Sequence, residues 1–303
     1  MTAPGAWVGV DIGGTKILAA LVGADGRVRD RRCAATPAAA GPTAVLDTAA
    51  ALAAPLLDGL GAGPVGVGTA GTVDPATGAI RYATGSLPGW TGTPVAAELA
   101  ARLARPVRVT NDVDAAALGE SWVGAGRGRR HLLLVTVGTG LGGAVVRHGR
   151  VERGARGATG EVAHLPAPGA EALRCGCGRY GHLEAIASGT GLAAGYALAT
   201  GDPVTGREVA RRAHAGDPAA GTVVRRAGTA LGAALAGLVG LLDPEVVLVG
   251  GGAAEALLPA AAEAYAAHLP AAWAGVPLLP AALGGDAVAV GAARLALTWT
   301  EHP

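Results

Sequence analysis

Apolar residues fall along this chain in short runs that end in glycine or threonine, not in long amphipathic stripes. Residues 7–11 form one such run. It meets the turn Ile12-Gly13-Gly14-Thr15 and returns as residues 16–22, which predicts a hairpin of buried strands. Runs at 65–70, 107–110, 132–137, 144–146 and 245–249 predict further short strands. Helical patterns cover 43–60, 183–198, 206–215, 218–242, 255–268 and 286–298. Strands mixed with helices throughout predict the α/β class. Residues 8–21 and 133–146 share one plan of strand, Gly/Thr turn and strand, an internal repeat that predicts two related α/β halves. The junction is expected near Asn111, where no linker composition marks it. The expected domains are 1–112, rejoined by a C-terminal helix at 287–303, and a larger domain over 113–286.

Composition changes this picture little. Half of the 303 residues are hydrophobic and 16% are charged, which is enough for a core and argues against disorder. Phe is absent and Lys16 is the only lysine, a bias toward Ala, Gly and Arg that discounts most compositional signals. A net charge of +1 gives no electrostatic footprint for nucleic acid or an anionic membrane. Residues 1–10 lack a basic segment and run straight into Asp11, unlike a signal peptide. The longest apolar run, 227–242, is broken by glycines and flanked by Arg226 and Asp243, as a buried core helix would be. Cytoplasm is the expected compartment, since Cys175-Gly-Cys177 suggests a metal site that needs reduced thiols. Cys33 is expected to be a small buried residue.

Two loops have the chemistry of phosphate binding. In Asp11-Ile-Gly-Gly-Thr-Lys16, Gly13 and Gly14 permit close backbone approach, successive N–H groups make an anion nest, and Thr15 adds a hydroxyl. Asp11 at the strand end suits Mg²⁺, directly or through water. An ordinary glycine-rich turn is the plainer alternative. The second loop, Gly138-Thr139-Gly140-Leu-Gly142-Gly143, matches the spacing of a dinucleotide fingerprint, but residues 144–146 read as a strand and not as the helix that motif requires. No Walker A sequence is present. Two Gly/Thr hairpins able to clamp one polyphosphate remain, with Gly250 and Gly251 at a third strand end offering backbone to an adenosine. Lys16 is a candidate phosphate contact or a partner for an acidic neighbour.

With these motifs the sequence resembles the ROK family (repressors, open reading frames and sugar kinases) over nearly its whole length. The resemblance rests on the first loop, Asn111-Asp112, the second loop, Gly160-Glu161-Val-Ala-His164, Cys175-Gly-Cys-Gly-Arg-Tyr-Gly-His-Leu-Glu184 and Leu242-Asp-Pro-Glu-Val-Val-Leu-Val-Gly-Gly251. It implies a two-domain actin-like ATPase fold of the ribonuclease H type, with the active site in the interdomain cleft and the protein a homodimer. It implies ATP as donor and a sugar as acceptor, with Asp112 as general base and Asn111, Glu161, His164 and Glu184 around the sugar. Phosphoryl transfer needs a carboxylate beside the attacking hydroxyl, and sugar hydroxyls need polar partners. Asp114 competes with Asp112 for the base, and an N-cap role competes for the Asn111-Asp112 pair. Glu184 has a plainer reading as a helix-start carboxylate.

Cys175, Cys177 and His182 form C-x-C-x4-H, and with His164 upstream they suit a structural tetrahedral Zn²⁺ site. The family has one His and three Cys here, so His182 is a departure. Ala163 is another, standing where the family has Gly, and is expected to alter the loop slightly. His131, His148, His214, His268 and His302 read as bystanders, and Trp90 as packing or as a wall of the sugar site. A ROK regulator would carry an N-terminal helix-turn-helix, for which the first loop leaves no room before Asp11; a non-catalytic sugar-binding protein would lack catalytic groups. Glucose phosphorylated on its 6-hydroxyl leads the substrates. N-acetylmannosamine or another N-acetylhexosamine, and an amino sugar or cyclitol, stay open, as does polyphosphate as donor.

Overall fold

Strands that are apolar at every position need cover on both faces. The structure, a computed structural model that describes residues 5–83 and 85–301, supplies it twice. In chain order the elements begin with β1 (Ala6–Ile12), β2 (Lys16–Gly23), β3 (Val28–Ala35), α1 (Pro42–Ala53), β4 (Val65–Thr69), β5 (Thr72–Val73) and β6 (Ile80–Tyr82). There follow α2 (Val95–Leu103), β7 (Val107–Asn111), α3 (Asp112–Trp122), β8 (His131–Val137), β9 (Leu141–Arg147) and β10 (Arg150–Val151). The rest is α4 (Glu184–Ala187), α5 (Gly189–Thr200), α6 (Gly206–His214), α7 (Pro218–Leu242), β11 (Val246–Gly250), α8 (Ala254–His268), β12 (Leu278–Pro280) and α9 (Ala287–Glu301).

Two units share the chain. The first holds the residues up to Gly128, then Gly149–Thr159, then those from Gly285 on; the second holds Arg129–His148 and Gly160–Gly284. The division therefore falls after Gly128 and not at 112, because α3 packs against α9 within the first unit. The C-terminal helix does return to that unit.

The first sheet has the order β3-β2-β1-β4-β7, with β1, β4 and β7 parallel and β2 and β3 antiparallel additions. Val8, Val10, Ile12, Val65 and Val67 point into one core with Val45 and Leu46 of α1 and Leu99 of α2. Alternate positions on the other face meet α9, which lies close because Gly9 and Gly66 have no side chain: a Cβ on Gly66 would strike the Ala292 carbonyl. In the second unit the order β9-β8-β11-β12 repeats that plan of an antiparallel hairpin on parallel strands. Leu133, Val135, Val137, Val247 and Val249 share a core with Leu192 of α5, Leu231 and Leu235 of α7 and Leu257 of α8. Helix α7 is long and apolar enough to cross a membrane, and half of its apolar window is buried, its Gly228 and Gly232 fitting against Leu257 and Ala261 of α8.

Several expectations change. β3 escaped the hydrophobic pattern because it is an edge strand with five exposed residues in succession, Arg29 to Cys33, so Cys33 is exposed and not buried. The helix expected over 183–198 breaks at Ser188, whose hydroxyl caps α5 by accepting the Gly191 N–H at 3.0 Å. The helix expected over 43–60 stops at Ala53 and tightens into a 3₁₀ turn containing Pro55. His302 lies outside the described residues.

Gly66→Ala should lower stability by about 1–3 kcal/mol, because α9 must move off β4 to admit one methyl group. Urea unfolding checks this against Gly61→Ala, where a Cβ would meet open space.

Candidate active site

In the first unit the candidate residues gather at the carboxyl ends of parallel strands, where open α/β sheets bind ligands. Registers of β1 with β4 and of β4 with β7 put Ile12, Thr69 and Asn111 side by side. The turn after β1 is fixed from below: Thr36 donates its hydroxyl to the Gly13 carbonyl at 2.6 Å and its N–H to the Thr15 carbonyl at 3.0 Å. A Cβ on Gly14 would sit 3.0 Å from the Ser86 carbonyl oxygen, so glycine is needed for that approach. Thr15 and Lys16 are exposed at the turn.

Asn111 does cap α3. Its Oδ1 accepts the N–H groups of Val113 at 2.8 Å and Asp114 at 3.3 Å, while its Nδ2 donates to the Gly71 carbonyl at 3.0 Å. Asp112 follows as the first residue of the helix, its Oδ1 accepting the Val113 N–H at 3.0 Å. Asp114 is turned instead to the Thr110 hydroxyl, which donates to it at 3.1 Å. Burial raises the Asp112 carboxyl above the usual carboxylate range. Burial also lifts Asp11, to about 7, with the Asp112 charge adding to the rise and Lys16 opposing it. Trp90 is packed within the unit, 1% exposed, its indole N–H on the Thr69 hydroxyl at 3.2 Å.

In the second unit the turn between β8 and β9 is held by the start of α5. Gly189 N–H donates to the Gly138 carbonyl at 2.9 Å, and Thr190 gives both its N–H, at 3.0 Å, and its hydroxyl, at 2.9 Å, to the Thr139 carbonyl. Beside this turn lies a cavity of about 540 Å³ lined by Thr139, Thr190, Thr205, Arg207, Gly252 and Ala253 among others. Gly251 has φ 93°, and a Cβ there would lie 2.5 Å from the Val137 carbonyl oxygen; only glycine lets β11 end against β8 in this way. Gly142 lies within β9, opposite Thr136.

The backbone of Gly143 also touches that of Gly160, so β9 abuts the loop carrying Glu161 and His164. That loop contains a 3₁₀ turn, Val162–His164, with Ala163 buried and outside the positive-φ set; a methyl group fits, and the Gly of the family is not required. The Glu161 carboxylate stands 3.8 Å from His164 Nε2.

His164, Cys175, Cys177 and His182 bring four ligand atoms within 4.8 Å of one another. Cys175 Sγ lies 3.8 Å from His164 Nδ1, and Cys177 Sγ lies 3.3 Å from His182 Nδ1. Tetrahedral zinc with these donors separates its ligands by about 3.3–3.8 Å, so the set fits a structural Zn²⁺. Burial, with help from the Glu184 hydrogen bond, pushes the Cys175 thiol up to about 12. Glu184, the first residue of α4, joins this cluster to the β8–β9 turn. Its Oε1 accepts from Cys175 Sγ at 3.3 Å and its Oε2 accepts the Leu141 N–H at 3.2 Å.

A sequence profile described as the ROK family matches residues 7–298. The chain belongs to the ROK family. Its fold is accordingly the actin-like ATPase fold, and solved ROK structures superpose on it. A ROK hexokinase from Thermus thermophilus is 39% identical with a TM-score of 0.87, over 98% of this chain and 100% of that one. A ROK family glucokinase from Streptomyces griseus, in complex with glucose and AMPPNP, is 34% identical with a TM-score of 0.83, over 97% and 100%. The N-acetylmannosamine kinase of Escherichia coli O139:H28 is 38% identical over 291 residues, 95% of this chain and 97% of its own length.

Within this ROK chain, sequence reasoning missed the wall of the cavity: Gly189, Thr190, Thr205, Gly206 and Arg207. The signal was present in Ser188-Gly-Thr and Thr205-Gly, each a capping residue before glycine at a helix start.

Two measurements test the electrostatics and the cluster. A carboxyl that ionises near pH 3.8 in the unfolded chain and near 7 in the fold costs stability as pH rises between those values, and the whole cost is present above 7. Asp11→Asn should therefore raise the Tm of the nucleotide-free, magnesium-free protein at pH 8 and change it little at pH 4; an equal shift at both would contradict the assignment. Elemental analysis should find about one zinc per chain, lost together with several degrees of Tm in the Cys175→Ala, Cys177→Ala double variant.

Proposed function

We propose that this ROK sugar kinase moves the γ-phosphoryl group of ATP to a hexose hydroxyl, with Asp112 accepting the hydroxyl proton. The observation that carries the reading is the position and environment of Asp112: it opens α3 at a parallel strand end, and burial makes it a stronger base than a free aspartate. Asp114 is less suited, being held by Thr110. As the sugar oxygen bonds to the γ-phosphorus its proton passes to Asp112. The bond from that phosphorus to the bridging oxygen breaks, and ADP leaves.

The 540 Å³ cavity supports a nucleotide as donor in preference to bare polyphosphate, since it gives a nucleoside a wall beside the phosphate turn. The hydroxyls of Thr15 and Thr139, both exposed, and the glycine backbone around them suit the phosphates, with Lys16 as the adjacent cation and Gly250 and Gly251 at the strand end beyond. Asp11, a carboxyl crowded by Asp112, suits a hard divalent cation, and Mg²⁺ would supply charge neutralisation on the phosphate oxygens. Zn²⁺ on His164, Cys175, Cys177 and His182 would brace the loop that offers Glu161, His164 and Glu184 to the sugar.

Glucose, phosphorylated on its 6-hydroxyl, is the first acceptor in this reading, supported by the glucose-bound relative from Streptomyces griseus. N-acetylmannosamine is the second, supported by the bacterial kinase for that sugar at 38% identity over 95% of the chain. Assembly as a homodimer and a cytoplasmic setting complete the proposal; the free thiols of the cluster support a reducing compartment.

ADP release should be followed with Mg-ATP across hexoses, N-acetylhexosamines, amino sugars and cyclitols. Asp112→Asn should cut kcat by on the order of 10²–10⁴ with little change in sugar KM. Retained turnover would move the base elsewhere, and silence of the wild type across the panel would overturn the acceptor class.

A further inference from the structure

We infer that His131 and His148 form a second transition-metal site, a two-nitrogen clip at the open end of the β8–β9 hairpin. His131 is the first residue of β8 and pairs with Arg147, the last residue of β9; His148 follows directly. Their Nε2 atoms lie 3.3 Å apart, the rings nearly perpendicular at 87° with centroids 4.9 Å apart. Two imidazole nitrogens on one tetrahedral ion, each about 2.05 Å from it, are separated by about 3.3 Å. The same spacing lies at the long end of an N–H···N hydrogen bond, and the titration below separates the two.

The backbone is arranged to hold this pair. His148 has φ 50°, one of three non-glycine residues in the left-handed region among the described residues, and its N–H donates to the Arg130 carbonyl at 2.6 Å. Histidine, with Asn and Asp, is among the non-glycine residues that enter this region most readily, so the turn holds His148 in place at little cost. Glu245 accepts the backbone N–H groups of Arg130 at 2.5 Å and His131 at 3.4 Å, which fixes the start of β8 and brings a negative charge to offset Arg129 and Arg130. The Arg147 guanidinium is turned to the Leu242 carbonyl at 3.3 Å.

Neither histidine belongs to the Cys/His cluster or to the phosphate turn. Nitrogen-only donors select Zn²⁺, Ni²⁺ or Cu²⁺ over Mg²⁺ or Ca²⁺, with water completing the shell. An ion here would tie together the two strand ends opposite the turn formed by residues 138–140, and so stiffen the hairpin that carries it.

Nickel alone is the probe. Protein holding one zinc per chain, cleared of excess, is titrated with Ni²⁺ by calorimetry while released zinc is followed with a colorimetric chelator. One nickel per chain should bind without zinc release and raise the Tm. His131→Gln and His148→Asn should each weaken nickel binding by about tenfold or more, and His268→Gln should not. Asn suits the left-handed turn, so His148→Asn keeps the test valid if His131→Gln folds poorly. Nickel bound only as zinc leaves, or bound equally well by both variants, would overturn the site.

Discussion

The carbonyl groups of Gly138 and Thr139 are bonded to the first amides of α5, and the β8–β9 turn and the cavity beside it depend on that contact. A helix start has spare N–H groups, and here two of them are spent on a turn. The contact requires glycine: a Cβ on Gly189 would lie 2.7 Å from the Gly138 oxygen. The wall of the nucleotide-sized cavity, the start of α4 with Glu184, and the close pass of Gly143 by Gly160 all depend on strands β8 and β9 being held there.

The first unit has a comparable constraint with charge in place of backbone. Asp11 and Asp112 stand at the ends of β1 and β7, on either side of β4, and each is disfavoured as an anion by burial. Lys16 offsets part of this for Asp11. Such a pair favours a proton or a cation nearby, which makes the free protein electrostatically incomplete in a way that a magnesium-bound nucleotide would relieve.

Much of this was legible in the sequence because short apolar runs ending in Gly or Thr mark buried strands and their ligand-bearing ends. Asp11, Asn111, Gly138 and Gly250 each stand where such a run stops. The four candidate metal ligands were legible from spacing, and the strand bridges Pro166–His182 and Arg174–Tyr180 supply the folding that brings them together. The hidden features lack a periodic signal. β3 is charged at its centre, and the cavity wall comes from helix starts far apart in the chain, where capping residues look alike whether or not they border a ligand. The Ala163 departure raised a concern about backbone strain that depends on φ, which no residue type fixes by itself.

Glu184 binds two loops to one residue. One oxygen accepts from Cys175 and the other from the Leu141 amide, so this carboxylate is fixed in place by both loops. Changing its length or charge would disturb the Cys/His cluster and the β8–β9 turn together. Glu161, which stands 3.8 Å from His164, carries no such double duty. Of the two carboxylates, Glu161 is therefore the one whose replacement leaves the rest of the second unit undisturbed, and Glu184 the one whose replacement is felt in two loops at once.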